Sequence, residues 1–99
     1  MYAIIFEIDT SLLNEEYHES EYKKVQDFLE LRGFILEQKN VYFGTKEIDA
    51  VKCVHTVEEL AVFSPWFSTC LVAIKMLRIE ESIDLMPIVI GEKLTIKNN

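Results

Sequence analysis

The chain has 99 residues, 49% apolar and 11% aromatic, enough to bury one hydrophobic core. Seventeen acidic against ten basic side chains leave a formal charge of −7; that argues against a surface devoted to phosphate, though not against RNA held in one local groove. Three glycines and two prolines exclude collagen-like, linker-like and repeat architectures, and the longest uncharged run, residues 60–74, is too short to cross a bilayer.

Residues 2–9 read as a strand. Tyr2, Ile4, Phe6 and Ile8 make one wholly apolar face, while Ala3, Ile5, Glu7 and Asp9 turn from apolar to acidic along the other. The amino terminus lacks a basic n-region and a cleavage signal, so it is read as structure, with the cytoplasm as the expected location and both thiols reduced. Residues 11–19 read as a polar loop. Ser20 is the expected N-cap of a helix whose face carries Tyr22, Val25, Phe28, Leu29 and Arg32, with Gly33 at the C-cap.

Phe34 to Glu37 and Val41 to Phe43 are short strands joined by a tight turn in which Asn40 tolerates positive φ. Thr45 is the expected cap of a second helix with Ala50, Val51, Val54, Val57, Leu60 and Ala61 as its apolar stripe; Ser64-Pro65 ends it or starts a short extra turn. Residues 71–80 form another strand, and residues 86–90, with Pro87, an edge strand. The order predicts a ferredoxin-like β-α-β-β-α-β α+β sandwich with a C-terminal edge-strand extension. It is expected as one domain over residues 1–99, with its core in about 1–81 and the extension in 82–99. Helices cover one face of such a sheet; Ala3, Ile5, Leu71, Ile74 and Leu77 leave the other face apolar, which a homodimer of stacked sheets would cover.

Glu7 and Asp9 form a pair of neighbouring carboxylates suited to a divalent cation or to acid/base work, and equally to a solvated strand end. His18, in the polar loop, could serve as a base or donor; His55 falls outside the apolar stripe of its helix and reads as a surface residue. Tyr42 beside Asn40 could stack on a base or donate to a phosphate, or simply complete the core. Lys75 and Arg78 are the basic pair of the late strand and could meet a phosphate. Cys53 and Cys70 lie 17 residues apart without metal-ligand spacing, and Cys70 looks buried. No P-loop, G-x-G-x-x-G, H-E-x-x-H or nucleophile elbow occurs.

Met1-Tyr2-Ala3-Ile4 with Phe6-Glu7-Ile8-Asp9 resembles the opening of the virulence-associated protein D (VapD) family. Leu31-Arg32-Gly33-Phe34 resembles the end of that family's first helix, and residues 38–42 its Q-G-S-x-Y hairpin. Pro65-Trp66-Phe67 and residues 74–80 resemble the segment leading through its last core strand. The likeness runs from Met1 to about Glu81. It implies a ferredoxin-like homodimer, related to the small nuclease-like subunit of the CRISPR adaptation complex, that cleaves RNA phosphodiester bonds in the dimer cleft. It also implies the toxin role of a toxin–antitoxin pair, with an antitoxin protein as partner.

On that resemblance Glu7 and Asp9 are the catalytic carboxylates and the ligands of any Mg or Mn. Asn40 and Tyr42 position RNA, and Lys75 or Arg78 holds phosphate. Three departures stand out: Glu7 replaces the family's aspartate, Asn40 its small hydroxyl residue, and Val72-Ala73 its Arg-Asp. Asp9 is the candidate to replace the missing acid. The alternative is a catalytically degenerate dimer that acts as a protein- or RNA-binding partner; a small-ligand or metal sensor is a third class.

Overall fold

A computed structural model describes residues 1–11 and 14–91. Its elements run β1 (Tyr2–Ile8), α1 (Glu15–Leu31), β2 (Phe34–Gln38), β3 (Val41–Gly44), α2 (Ala50–Phe63), α3 (Pro65–Cys70), β4 (Leu71–Arg78) and α4 (Met86–Val89). The strands form one antiparallel sheet in the order β2-β3-β1-β4, the arrangement of a ferredoxin-like α+β sandwich. The even side chains of β1 meet the helices: Ile4, Phe6 and Ile8 share a core with Val25, Phe28 and Leu29 of α1, Cys53 and Leu60 of α2, and Trp66 and Phe67 of α3. Burying a side chain such as Ile4 or Leu29 contributes about 1.5–3 kcal/mol, and these contacts set which helix face turns inward.

Several local expectations are corrected. The first helix begins at Glu15, not after Ser20. Asn14 accepts the Tyr17 N–H at 2.8 Å, and Glu15 and Glu16 occupy the first turn, where negative charge is favourable. His18 therefore lies in a helix and not in a loop. The second helix is capped by Asp49, which accepts the Lys52 N–H, and not by Thr45. Its inward face is Cys53, Thr56 and Leu60, leaving Val51 and Val54 exposed; packing against β1 and α3 selects a stripe offset from the most apolar one. Ser64 opens a six-residue helix by accepting the Phe67 N–H. Cys70 is half-buried, and both cysteines are free thiols.

Residues 86–89 form a single helical turn, not an edge strand. Pro87 is compatible with a first helical turn, and Asp84 accepts the Met86 N–H at 2.9 Å. Residues 92–99, the remainder of the expected extension, lie outside the described residues. The β2–β3 turn follows expectation, with Asn40 at φ 65°.

Two packing facts have measurable consequences. A Cβ on Gly44 would lie 2.9 Å from Ile48 Cβ, because the chain entering α2 crosses close over β3. Gly44→Ala is expected to cost about 1–3 kcal/mol, read as a lower denaturant midpoint at unchanged slope. Tyr42 belongs to the core, stacked on Phe6 at 6.1 Å, and burial pushes its hydroxyl up to about 12, with Glu30 and Asp27 adding to the effect. An unfolded tyrosine ionises near pH 10, so the Tyr42 contribution is intact below about pH 10 and is lost as pH rises from there through about 12. Tyr42→Phe is expected to flatten that alkaline decline in stability; parallel alkaline melting profiles for the two proteins would contradict it.

Candidate functional site

The carboxyl end of β1 gathers most of the chemistry. Glu7 points to the face of the sheet opposite the helices, together with Ala3 and Ile5, and is exposed. In register across β4 it faces Ala73, while Lys75 faces Ile5 and so lies diagonal to Glu7 on the same side. That face also carries Ile35, Phe43 and Leu77; Ile5, Ile35 and Leu77 are exposed, so within one chain it is apolar and largely uncovered. Ala3, in register with Phe43 and Leu77, is fully buried.

Beyond Ile8 the ladder to β4 shifts register, and the Asp9 N–H donates to the Cys70 carbonyl at 2.8 Å. The Asp9 carboxylate accepts the Ser11 hydroxyl at 2.7 Å and the Ser11 N–H at 2.9 Å. These bonds hold its carboxyl below the ordinary carboxylate range. On the other side of β1, the Phe6 N–H donates to the Asn40 carbonyl at 3.1 Å, which seats the β2–β3 turn one residue from Glu7.

The remaining expected contacts do not join this group. Tyr42, 4% exposed, lies on the helix side of the sheet, so its ring face is unavailable for stacking on a base. Arg78 stands opposite Tyr2 at the far end of β4, on the other face from Lys75, so the two do not form one phosphate grip. Among the described residues no three His, Cys, Asp or Glu side chains cluster. Glu7 lies on the regularly paired part of β1, and Asp9 beyond its register shift with its carboxylate held by Ser11.

His18 is 4% exposed and accepts the Trp66 indole N–H on Nδ1 at 3.0 Å. The indole can only donate, so Nδ1 carries the lone pair and the proton sits on Nε2. Tyr22 meets Trp66 edge-on at 5.0 Å. Sequence reading missed this cluster because the helix start was placed too late. With the helix begun at Asn14, His18, Tyr22, Val25 and Leu29 fall on one helical stripe, and that spacing was the available signal.

No helix among the described residues is long and apolar enough to cross a membrane. No family model matches the chain. It is 50% identical over 91 residues to Endoribonuclease VapD 2 of Riemerella anatipestifer, a match covering 88% of this chain and 97% of that protein. It is 45% identical over 89 residues to the Endoribonuclease VapD homolog of Helicobacter pylori, covering 88% and 94%. Identity of this degree over nearly the whole of both relatives is decisive: the chain belongs to the VapD family.

Proposed function

We propose that the protein is an endoribonuclease that cleaves RNA phosphodiester bonds at the carboxyl end of β1, in a cleft between two copies. The observation carrying this reading is the near full-length match to two relatives named as endoribonucleases. Glu7 on the open face supports it, with Lys75 diagonal to it across β4. The Glu7 carboxylate takes the proton of the attacking hydroxyl as its oxygen bonds to phosphorus and the phosphorus–oxygen bond to the leaving group breaks; solvent water protonates the departing oxygen, and the Lys75 ammonium holds the phosphate. The Asp9 carboxylate, tied by Ser11, is kept ionised as a second acceptor. Mg or Mn bound by Glu7 and Asp9 would supply Lewis-acid polarisation of the phosphoryl oxygen.

The homodimer is supported by the uncovered apolar sheet face, where Ile5, Ile35 and Leu77 stay exposed in one chain. Stacking two such faces removes them from water and brings the Glu7 side chains of both copies toward one cleft. Within the family resemblance the chain takes the toxin role, acts in the cytoplasm and is held by an antitoxin protein. One observation favours the alternative, a degenerate dimer that binds RNA or protein without cutting. Ala73, at the position of the family's aspartate, lies directly across from Glu7, so the lost acid belonged beside the retained one.

Cleavage of a single-stranded RNA by matched preparations, with EDTA, Mg²⁺ or Mn²⁺, separates the two. Wild type is expected to cut and Glu7→Gln to be slowed about 100-fold or more, a loss of about 2.7 kcal/mol of transition-state stabilisation. Ala73→Asp is expected to raise the metal-dependent rate. Equal cutting by wild type and Glu7→Gln would overturn the assignment of Glu7, and a wild type that binds RNA uncut would favour the degenerate dimer. For the assembly, Ile5→Lys/Leu77→Lys is expected to turn a dimer into a folded monomer by light scattering after gel filtration; a monomeric wild type would refute the stacked-sheet dimer.

A further inference from the structure

His18 is buried on α1 and accepts the indole N–H of Trp66, on α3, at 3.0 Å on Nδ1. An indole nitrogen only donates, so the bond requires an imidazole with a free lone pair at Nδ1. An imidazolium carries a proton on both nitrogens, and Nδ1 would then set one donor against another. The bond is therefore whole above the pH range in which histidine titrates, about 5 to 8, and is lost as pH falls through it. The neutral state is itself incompletely satisfied, because His18 Nε2 has no hydrogen-bond partner among the described residues.

A charged ring cannot stay in place unpaired, since a buried lone charge is far costlier than a buried lone N–H. A space with partners lies beside it. His18 borders a cavity of about 380 Å³ together with Thr10, Glu15, Glu19, Tyr22 and Lys39. Glu15 stands three residues before His18, a spacing at which side chains on a helix meet. Glu15 and Glu19 are exposed, and neither forms an ion pair among the described residues.

The other charged groups around the imidazole leave this choice intact. On α1, Glu21 is paired with Lys24 at 3.1 Å. From the β2–β3 turn, the Lys39 ammonium lies 5.1 Å from the Tyr22 ring centroid and is the one like charge on the cavity wall. From β1, the Asp9 carboxylate is bound by Ser11, and a charge on His18 stabilises it. On α3, residues 65–70 include no carboxylate, lysine, arginine or histidine. The cavity side thus favours an imidazolium, and the Trp66 side a neutral imidazole.

We propose that His18 and Trp66 form a pH switch: on protonation the His18 ring leaves the indole, swings into the cavity toward Glu15 and Glu19, and frees the start of α1 from α3. The same cavity reaches Thr10, the residue after Asp9, so the switch acts next to the candidate site without depending on its being a nuclease.

Trp66 is the single tryptophan, so its indole gives one ¹H–¹⁵N resonance, and His55→Gln leaves His18 as the single histidine. In that protein the indole and the His18 ring nitrogens are followed from about pH 8 to pH 5. At the alkaline end Nδ1 is expected to be unprotonated and the indole N–H shielded from exchange with water. Toward the acid end Nδ1 gains its proton and indole exchange quickens about tenfold or more, both with one midpoint, while the amide spectrum stays dispersed. His18→Asn keeps an acceptor for the indole and has nothing to titrate there, so its indole resonance is expected not to move. Glu15→Gln/Glu19→Gln is expected to lower the midpoint by about half a pH unit. An indole resonance that stays put throughout, one whose midpoint differs from that of His18, or one that still titrates in His18→Asn would overturn the switch. Amide dispersion lost at the same pH would overturn it as well, and so would an unmoved midpoint in the double glutamine variant, which removes the cavity as the destination. Should His18→Asn fail to fold, the coincidence of the two midpoints in the parent protein decides by itself.

Discussion

The period-two alternation of β1 is the constraint on which the other features rest. Because successive side chains point to opposite faces, burying Ile4, Phe6 and Ile8 beneath the helices obliges Ala3, Ile5 and Glu7 to face the other way. A one-residue slip would put Glu7 into the core and bury a carboxylate without a partner, so register is held tightly. The same alternation decides the fate of β3 and β4. Tyr42 pairs with Ile4 and goes inward, while Lys75 pairs with Ile5 and goes outward. The core and the candidate chemistry are therefore two sides of one strand, and neither can be altered without the other.

A second constraint acts at right angles to the sheet. Trp66, on the short helix α3, reaches across to His18 on α1 and closes a buried N–H···N hydrogen bond, with Tyr22 packed edge-on against the indole. Phe67, the next residue, packs edge-on to Phe6 at 5.1 Å. Two adjacent residues thus clamp α1 and β1 to α3. The bond also fixes the tautomer of His18, so one structural contact sets the hydrogen-bonding sense of the imidazole nitrogen left over. Such coupling means that changes at Trp66 reach both the packing of α1 and the imidazole of His18.

Much of this was legible in the chain itself. The alternation in residues 2–9, the Tyr22–Val25–Phe28–Leu29 stripe and the turn at Asn40 are local patterns, and local sterics and periodicity suffice to read them. The places where reading went astray share a cause. Asn14 and Ser20 are both good caps, and the choice between them is made by whether His18 gains a buried partner 48 residues away. The stripe on α2 runs through Cys53, Thr56 and Leu60 because of what faces it, although Val51 and Val54 are the more apolar choice. At residues 86–89 an edge strand was expected, yet the segment pairs with neither edge of the described sheet, and a proline suited to a first helical turn sits in a helical turn.

The sequence by itself determined the order of the four sheet strands and the two long helices, the ferredoxin-like arrangement, the face on which Glu7 stands and the resemblance to the VapD family. Each of these is written in spacings of a few residues or in strings of adjacent ones. Only the tertiary structure decided that Arg78 and Lys75 face apart, that Tyr42 is core, that Ala73 lies opposite Glu7, and that His18 meets Trp66. Those facts depend on strand register and on contacts between residues far apart in the chain, where a shift of one position exchanges inside for outside.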